Sequence, residues 1–369
     1  MKIGVLSYPL NNNYGNYLQA YALTTILHRM GHDVVYIHRR HDKPGIWFRV
    51  KYFIKTLLGD IIHIKNDNPI YNYEWVYMYQ KGGEMIKFFE KYIPHTIPYY
   101  SSKELEYNCQ IFDAIVVGSD QVWRAGLLKS IEDYYLGFLM NKDTLRIAYA
   151  ASFGKKEAGY TREQLIKCGQ LIEKFKAVSV RESQGIEIIK QFGWRGPVPQ
   201  VVLDPTLLLD KADYEKLLPK EDVDKQIFCY ILDANQTTSD VISIVGKHLN
   251  LSINNILEGR NNQEYRYCSI EKWLNNIRNA AFVVTDSFHG TVFSILFNVP
   301  FVVINNVARG GDRIISLLQS LDLSDRLYNN DIASIYSLIE SKINWDFVND
   351  TVMEMRMNSV EWLNRNITK

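Results

Sequence analysis

The segment from Ala281 to Ile304 constrains the fold more than any other part of the chain. Ala281 to Val284 is an apolar run suited to a buried strand. A polar tip follows (Thr285, Asp286, Ser287, Phe288, His289, Gly290), then an apolar helix, then Pro300 and a second run from Phe301 to Ile304. Strand, turn, helix and strand in so short a span define a parallel βαβ unit. Such units bind ligands outside the carboxyl ends of their strands, where Asp286, Ser287 and His289 fall. Asp286 or Ser287 caps the helix, whose first N–H groups, that of Gly290 among them, are open to an anion. A histidine at that place can move a proton near neutral pH; capping and packing alone are the plainer role for the same residues.

The same rhythm recurs along the chain. Strands are expected at Ile3–Leu6, His32–His38, Phe112–Val117, Arg146–Ala151, Ala177–Val180 and Val201–Leu203, with helices over Tyr14–Met30 and Arg162–Lys174. A second series opens at Gln226–Leu232 and runs through a helix near Val241–Leu249 and a strand near Ile253–Leu257 to the central unit. The pattern therefore divides into an α/β unit over 1–210, another over 226–345 and a closing helix over 346–369, with Lys211–Lys225 as the linker. Residues from about 41 to 100 interrupt the first unit. Within them Ile46–Ile62 spaces Trp47, Val50, Ile54, Leu57 and Ile61 along one helical face, with Arg49, Lys51 and Lys55 outside it. A basic amphipathic helix of this kind either docks on a membrane surface or packs on its own domain. The aromatic-rich Tyr71–Tyr79 is a candidate lid.

At 369 residues the chain is long for one core, in keeping with two domains. Lys and Arg number 42 against 41 Asp and Glu, so gross charge gives no reason to expect nucleic acid as a partner. Cys109, Cys168, Cys229 and Cys268 form no CxxC pair, which indicates neither a zinc site nor a disulfide framework. The chain enters a strand at Lys2, and no uninterrupted apolar run is long enough to span a bilayer; a soluble cytoplasmic protein is expected.

Each strand tip brings polar side chains. The tips supply cations (Arg181, Arg309, Arg313), carboxylates (Asp120, Asp204, Asp286), amides (Asn13, Asn16, Gln121) and the imidazole of His289. Facing one another across a cleft between two α/β domains, they would line one site. The loop Asn11–Tyr17 lacks GxGxxG spacing, and neither a GxxxxGK[ST] loop nor an α/β-hydrolase spacing occurs. Arginines beside a helix start suit phosphate or carboxylate, and Arg309-Gly310-Gly311 adds flexible backbone for an anion nest.

Taken in order, Asn13-Tyr-Gly-Asn16-Tyr-Leu-Gln19, Gly118-Ser-Asp120-Gln121, Val180-Arg181-Glu182, Asp204-Pro-Thr206 and Asp286-Ser-Phe-His289-Gly290 resemble the polysaccharide pyruvyl transferase family. The resemblance implies two Rossmann-like domains in a glycosyltransferase-B-like arrangement with the site between them. It also implies transfer of the three-carbon unit of phosphoenolpyruvate to a sugar of a surface polysaccharide or its lipid-linked precursor, usually as a ketal. By this similarity His289 matches the family's proposed catalytic histidine and Arg181 an arginine assigned to the donor. Many members carry Arg where this chain has Ser287, which weakens the implied grip on the donor's carboxylate or phosphate unless Arg309 or Arg313 substitutes.

The residues suit that chemistry. Protonated His289 would deliver a proton to the donor's methylene carbon, and Asp286 or Asp120 would keep it charged near neutrality. Arg181, with Arg313 or Arg309, would hold the phosphate, and Asn13, Asn16, Gln19 and Gln121 would orient sugar hydroxyls. The scheme calls for no metal or cofactor. Two alternatives share the fold: a glycosyltransferase using a nucleotide-sugar donor, and a non-catalytic sugar-binding member of a polysaccharide assembly system.

Overall fold

The computed structural model describes residues 1–42, 74–141, 143–155, 158–219, 224–260, 265–306, 309–328 and 330–368, the side chains of 74–81 and 333 excepted. The segment Ile46–Ile62, on which the expected membrane contact rests, and most of the aromatic segment Tyr71–Tyr79 lie outside the described residues.

In chain order the first half comprises β1 (Lys2–Leu6), α1 (Tyr14–Arg29), β2 (Asp33–Tyr36), α2 (Glu74–Tyr92), α3 (Ser102–Asn108), β3 (Ala114–Val117), β4 (Leu145–Ala151), α4 (Arg162–Ile172), β5 (Ala177–Val180), α5 (Gln184–Gln191), β6 (Gln200–Val201) and α6 (Lys211–Glu215). The second half comprises β7 (Ile227–Tyr230), α7 (Gln236–Leu249), β8 (Ile253–Asn255), α8 (Ile270–Asn279), β9 (Phe282–Thr285), α9 (Phe288–Leu296), β10 (Phe301–Ile304), α10 (Asp312–Ser320), β11 (Leu327–Tyr328), α11 (Ile332–Glu340) and α12 (Trp345–Ile367).

The strands form two sheets, ordered β2-β1-β3-β4-β5-β6 and β11-β10-β9-β7-β8, and every pairing is parallel. Read from its other edge, the second sheet repeats the strand order of the first five strands of the first. In each sheet the order reverses at one point, between β1 and β3 and between β7 and β9, and that point opens a crevice for ligands. Runs such as Ala114–Val117 and Phe282–Thr285 form the central strands because helices cover both their faces.

One apolar cluster passes through both halves, joining Tyr17 and Leu18 of α1 to Trp273 of α8 and Phe293 of α9. Tyr14 stacks on Trp273 at 5.1 Å, so the start of α1 is seated on the second half. The last helix returns to the first half: Ser359 accepts from the N–H of Leu203, and Arg356 donates to the carbonyl of Leu207. The expected linker is partly structure. Lys211–Glu215 is a helix with a capping box at Asp210, and Asp213 accepts two bonds from Arg29. Val201–Leu203 supplies only the end of a two-residue strand, because the chain turns at Asp204-Pro205. Among the described residues no helix is long and apolar enough to cross a membrane.

Candidate active site

The two crevices face each other, and a cavity of about 370 Å³ lies between them. The loop after β1 contributes Asn13 and Asn16, the loop after β3 contributes Asp120, Gln121 and Arg124, and the β9–α9 junction contributes Asp286, Ser287 and His289. Arg309 and Arg313 close it from the segment after β10. The strand tips of the two units therefore converge on one space. A second cavity of about 370 Å³ lies behind Phe288 and reaches the C-terminal helix; Arg181 and Asp204 line that one. Phe288 is the partition, with the guanidiniums of Arg181 and Arg313 at 4.8 and 5.7 Å from its ring.

His289 stands in the first turn of α9, where Ser287 caps the helix by accepting from the N–H of Gly290 at 3.4 Å. That N–H is thus engaged, and Gly290 is buried under the side chain of Thr285 rather than open to an anion, contrary to the sequence expectation. His289 itself is buried, and its Nε2 has no hydrogen-bond partner among the described residues.

The carboxylate nearest His289 is Asp204, at 3.9 Å from Nε2. It is not Asp286, whose oxygens accept from the backbone N–H groups of Leu232 and Asp233 at 2.6 and 2.9 Å and from Asn306 at 2.9 Å. Asp286 ties the tip of β7 to the tip of β9. Asp120 stands in a left-handed conformation at φ 71°, 3.4 Å from both Arg181 and Arg313, and acts on His289 only as a charge further off than Asp204.

These partners do not hold His289 protonated at neutral pH. Burial pushes its pKa down to about 4, outweighing Asp204 and Asp120, which pull it up. The first turn of α1 abuts the ring, and the positive end of a helix disfavours imidazolium further. The imidazole is therefore neutral at neutral pH, which corrects the expectation of a standing imidazolium.

Asp204 is the centre of a buried network. It accepts from Arg181 at 2.7 Å, from Gln19 at 2.6 Å, and from the N–H and hydroxyl of Thr206 at 3.0 and 2.7 Å. Burial alone would raise its pKa; the charges of Arg181 and His289 and these bonds prevail and hold it at about 2. Gln19, expected to touch the acceptor, is spent on Asp204 and Ser119 and does not reach the cavity. Arg181 lies beneath the site as the counter-ion of Asp204, Asp120 and Glu182. Its charge persists because those three carboxylates offset the burial that would otherwise lower its pKa.

The remaining predicted groups do line the cavity. Asn13 caps α1 by accepting from Gly15, and Asn16 donates to Asn11 while its own carbonyl oxygen is buried without a partner. Gln121 accepts from Arg124 at 2.5 Å. Arg309 is held by Asp233 through bonds of 2.5 and 2.8 Å. Arg313 donates to Asp120 and to the carbonyls of Arg309 and Gly310; burial, then the charge of Arg181, lowers its pKa to about 10. Among the described residues no cluster of His, Cys, Asp or Glu could hold a metal ion.

Two parallel sheets with a shared crevice define two Rossmann-like units in a glycosyltransferase-B-like arrangement, and one solved structure in particular agrees. The structure of S. aureus MnaA with UDP superposes with a TM-score of 0.53 at 10% identity, covering 100% of this chain and 98% of that one. Medicago truncatula UGT71G1 complexed with UDP-glucose (TM-score 0.49, 11% identity, 100% and 98% covered) is also similar. So is UDP-GlcNAc 2-epimerase from Methanocaldococcus jannaschii (0.45, 13%, 93% and 93%). At these identities the likeness concerns the fold alone. No curated protein sequence matches the chain. The family does: the profile described as polysaccharide pyruvyl transferase matches residues 13–306, and the chain belongs to that transferase family, whose acceptor is a polysaccharide.

Proposed function

We propose that the chain transfers the pyruvyl unit of phosphoenolpyruvate to two hydroxyls of one sugar, in a bacterial surface polysaccharide or its lipid-linked precursor, and so forms a cyclic ketal. The observation that supports this most is the cavity itself, where a buried neutral imidazole meets guanidinium groups from both halves of a family member. In the reaction a proton goes to the donor's methylene carbon and the adjacent carbon becomes oxocarbenium-like. One sugar hydroxyl adds there and gives up its proton, the carbon–oxygen bond to phosphate breaks, and a second hydroxyl closes the ring with loss of its proton. Of the two hydroxyl protons, one balances the new methyl group and one the departing phosphate, so no redox partner is needed.

His289 is the group assigned to carry the proton. Neutral among the protein's own groups, it becomes basic when an anionic donor adds negative charge beside it, takes up a proton and passes it to the methylene carbon as general acid. Asp204 stabilises the resulting imidazolium, fixed in place by Gln19 and Arg181. Arg313 faces the donor's charge, and Asn13, Asn16 and Gln121 offer amides to the acceptor's hydroxyls. A lipid-linked acceptor would bring the protein to the inner membrane face, for which the basic residues Arg49, Lys51 and Lys55 are suited.

Purified protein incubated with phosphoenolpyruvate and a panel of nucleotide-linked and lipid-linked sugars is expected to release phosphate in step with a gain in acceptor mass. His289→Ala should remain folded and lose about 10²–10⁴-fold in rate; a full rate in that variant removes the assigned role. Protection against heat by a nucleotide sugar, with none by phosphoenolpyruvate, would replace this proposal with glycosyl transfer.

A further inference from the structure

Three guanidinium groups line the cavity beside His289, and they differ in what already satisfies them. Arg309 spends two N–H groups on the carboxylate of Asp233. Arg313 is engaged by Asp120 and by two backbone carbonyls. Arg124, in the turn after β3, makes a single bond, from one terminal nitrogen to the side-chain carbonyl of Gln121, and has no ion pair among the described residues. It is half-buried, and that burial lowers its pKa. A guanidinium carries five N–H donors in a rigid fork, so four remain to be satisfied by solvent or by a ligand. Withdrawing a cation from water without a counter-charge is unfavourable, and an oxyanion entering the cavity relieves that cost.

We propose that Arg124 receives an oxyanion of the donor, making it a binding residue that determines the enzyme's selectivity for an anionic donor; this rests on the reaction proposed above. Gln121 steers the fork and leaves its other edge free, as bidentate recognition of carboxylate or phosphate requires. Arg124 comes from the first half and His289 from the second, so a donor bridging them is seated only when both halves face it. Arg309 and Arg313 are ion-paired with Asp233 and Asp120, whereas Arg124 forms no ion pair among the described residues and feels Asp120 only as a charge outside bonding distance.

The full-length protein, its Arg124→Gln variant and a surface control, Arg162→Gln, are titrated calorimetrically with inorganic phosphate and separately with pyruvate, which tells the phosphate end of the donor from the carboxylate end. The wild type and the control are expected to bind at least one of the two, and Arg124→Gln to bind that anion about tenfold or more weakly. Arg124→Lys should recover part of the loss by restoring the charge without the fork. With phosphoenolpyruvate and an acceptor, Arg124→Gln should raise the donor KM by the same factor and leave the acceptor KM alone. Equal binding by wild type and Arg124→Gln, or binding of neither anion by the wild type, overturns the assignment. Anion binding that depends on Arg124, in a protein that turns over no phosphoenolpyruvate, upholds the assignment and rejects the reaction.

Discussion

The imidazole of His289 lies so close over Gly15 that a methyl group added at Gly15 would meet Nδ1 at 1.9 Å. The two residues belong to different halves of the chain, so the start of α1 is the surface on which His289 rests. Gly15→Ala should favour α1 itself, since Ala is the better helix former by about 0.5–1 kcal/mol. Any loss is then attributable to the displaced ring. Turnover is expected to fall toward the His289→Ala level while circular dichroism stays native and the overpacking costs about 1–3 kcal/mol. An unchanged rate in Gly15→Ala would mean that His289 works from another position.

The burial of His289 makes stability depend on pH. An imidazole in the unfolded chain titrates near 6.5, whereas His289 in the fold titrates at about 4, because burial outweighs Asp204 and Asp120. Between these values the unfolded state binds more protons, so stability falls as pH drops from about 6.5 to about 4 and is flat below that. His38, pushed down to about 3 by burial and then by Arg40 and His95, adds to the same limb. His289→Gln should remove about 3 kcal/mol of the acid-induced loss, read from urea unfolding across this range. An acid limb as steep in His289→Gln as in the wild type would show that His289 carries its proton in the native state.

The same pKa sets the protonation linked to the donor. If phosphoenolpyruvate raises the affinity of His289 for a proton, binding at pH 7 must take up protons from buffer. Calorimetry in buffers of different ionisation enthalpy measures this directly, and His289→Gln should abolish it. Donor affinity should weaken as pH rises from about 4 toward the pKa of the complex and level off above it. Binding without proton uptake would leave His289 a neutral hydrogen-bonding group and dismiss it as the acid.

Much of this architecture is legible in local sequence. Val116, Val117, Val283 and Val284 announce buried parallel strands because both faces of each are covered, and the polar residues after them mark the crevice. What is not legible depends on contacts between distant segments. Gly15 reads as turn chemistry, but its requirement comes from a ring in the other half. Asp204 reads as one strand-tip carboxylate among several. Its place beside His289 follows from Gln19, Arg181 and Thr206 converging on it, and no spacing along the chain encodes that. Gln19 lies along α1 from Asn16, on a face that turns inward to Ser119 and Asp204. Arg124 follows the motif after β3 without belonging to it, and its lack of a carboxylate ion pair among the described residues emerges only when Arg309 and Arg313 are seen to have theirs.

The network under His289 predicts a division between stability and binding. Gln19→Met keeps the volume but removes the donor to Asp204, and loss of a bond to a buried charge costs about 1.5–3 kcal/mol. The acceptor KM should not change, because Gln19 does not reach the cavity. Gln121→Met, on the cavity wall, should show the opposite pattern: near-native stability and a raised KM. A large change of acceptor KM in Gln19→Met would place that side chain at the substrate after all.

Tyr14 joins the halves beside the site, and its ring and hydroxyl make separable contributions. The ring stacks on Trp273 at 5.1 Å with 9° between planes and meets Tyr230 edge-on at 5.8 Å. Among the described residues the buried hydroxyl's hydrogen-bonding partner is the Cys268 sulfur, at 3.2 Å, a weak one. Tyr14→Phe keeps the ring and should cost no more than about 1 kcal/mol. Tyr14→Ala opens a cavity between α1 and α8 and should cost about 3–5 kcal/mol. Because Tyr14 immediately precedes Gly15, the cavity also loosens the seat of His289, so turnover should fall in Tyr14→Ala and persist in Tyr14→Phe. Comparing rates at a temperature where both variants are fully folded separates this effect from simple instability. A native rate in folded Tyr14→Ala would mean that His289 is held by its own helix and owes nothing to α1.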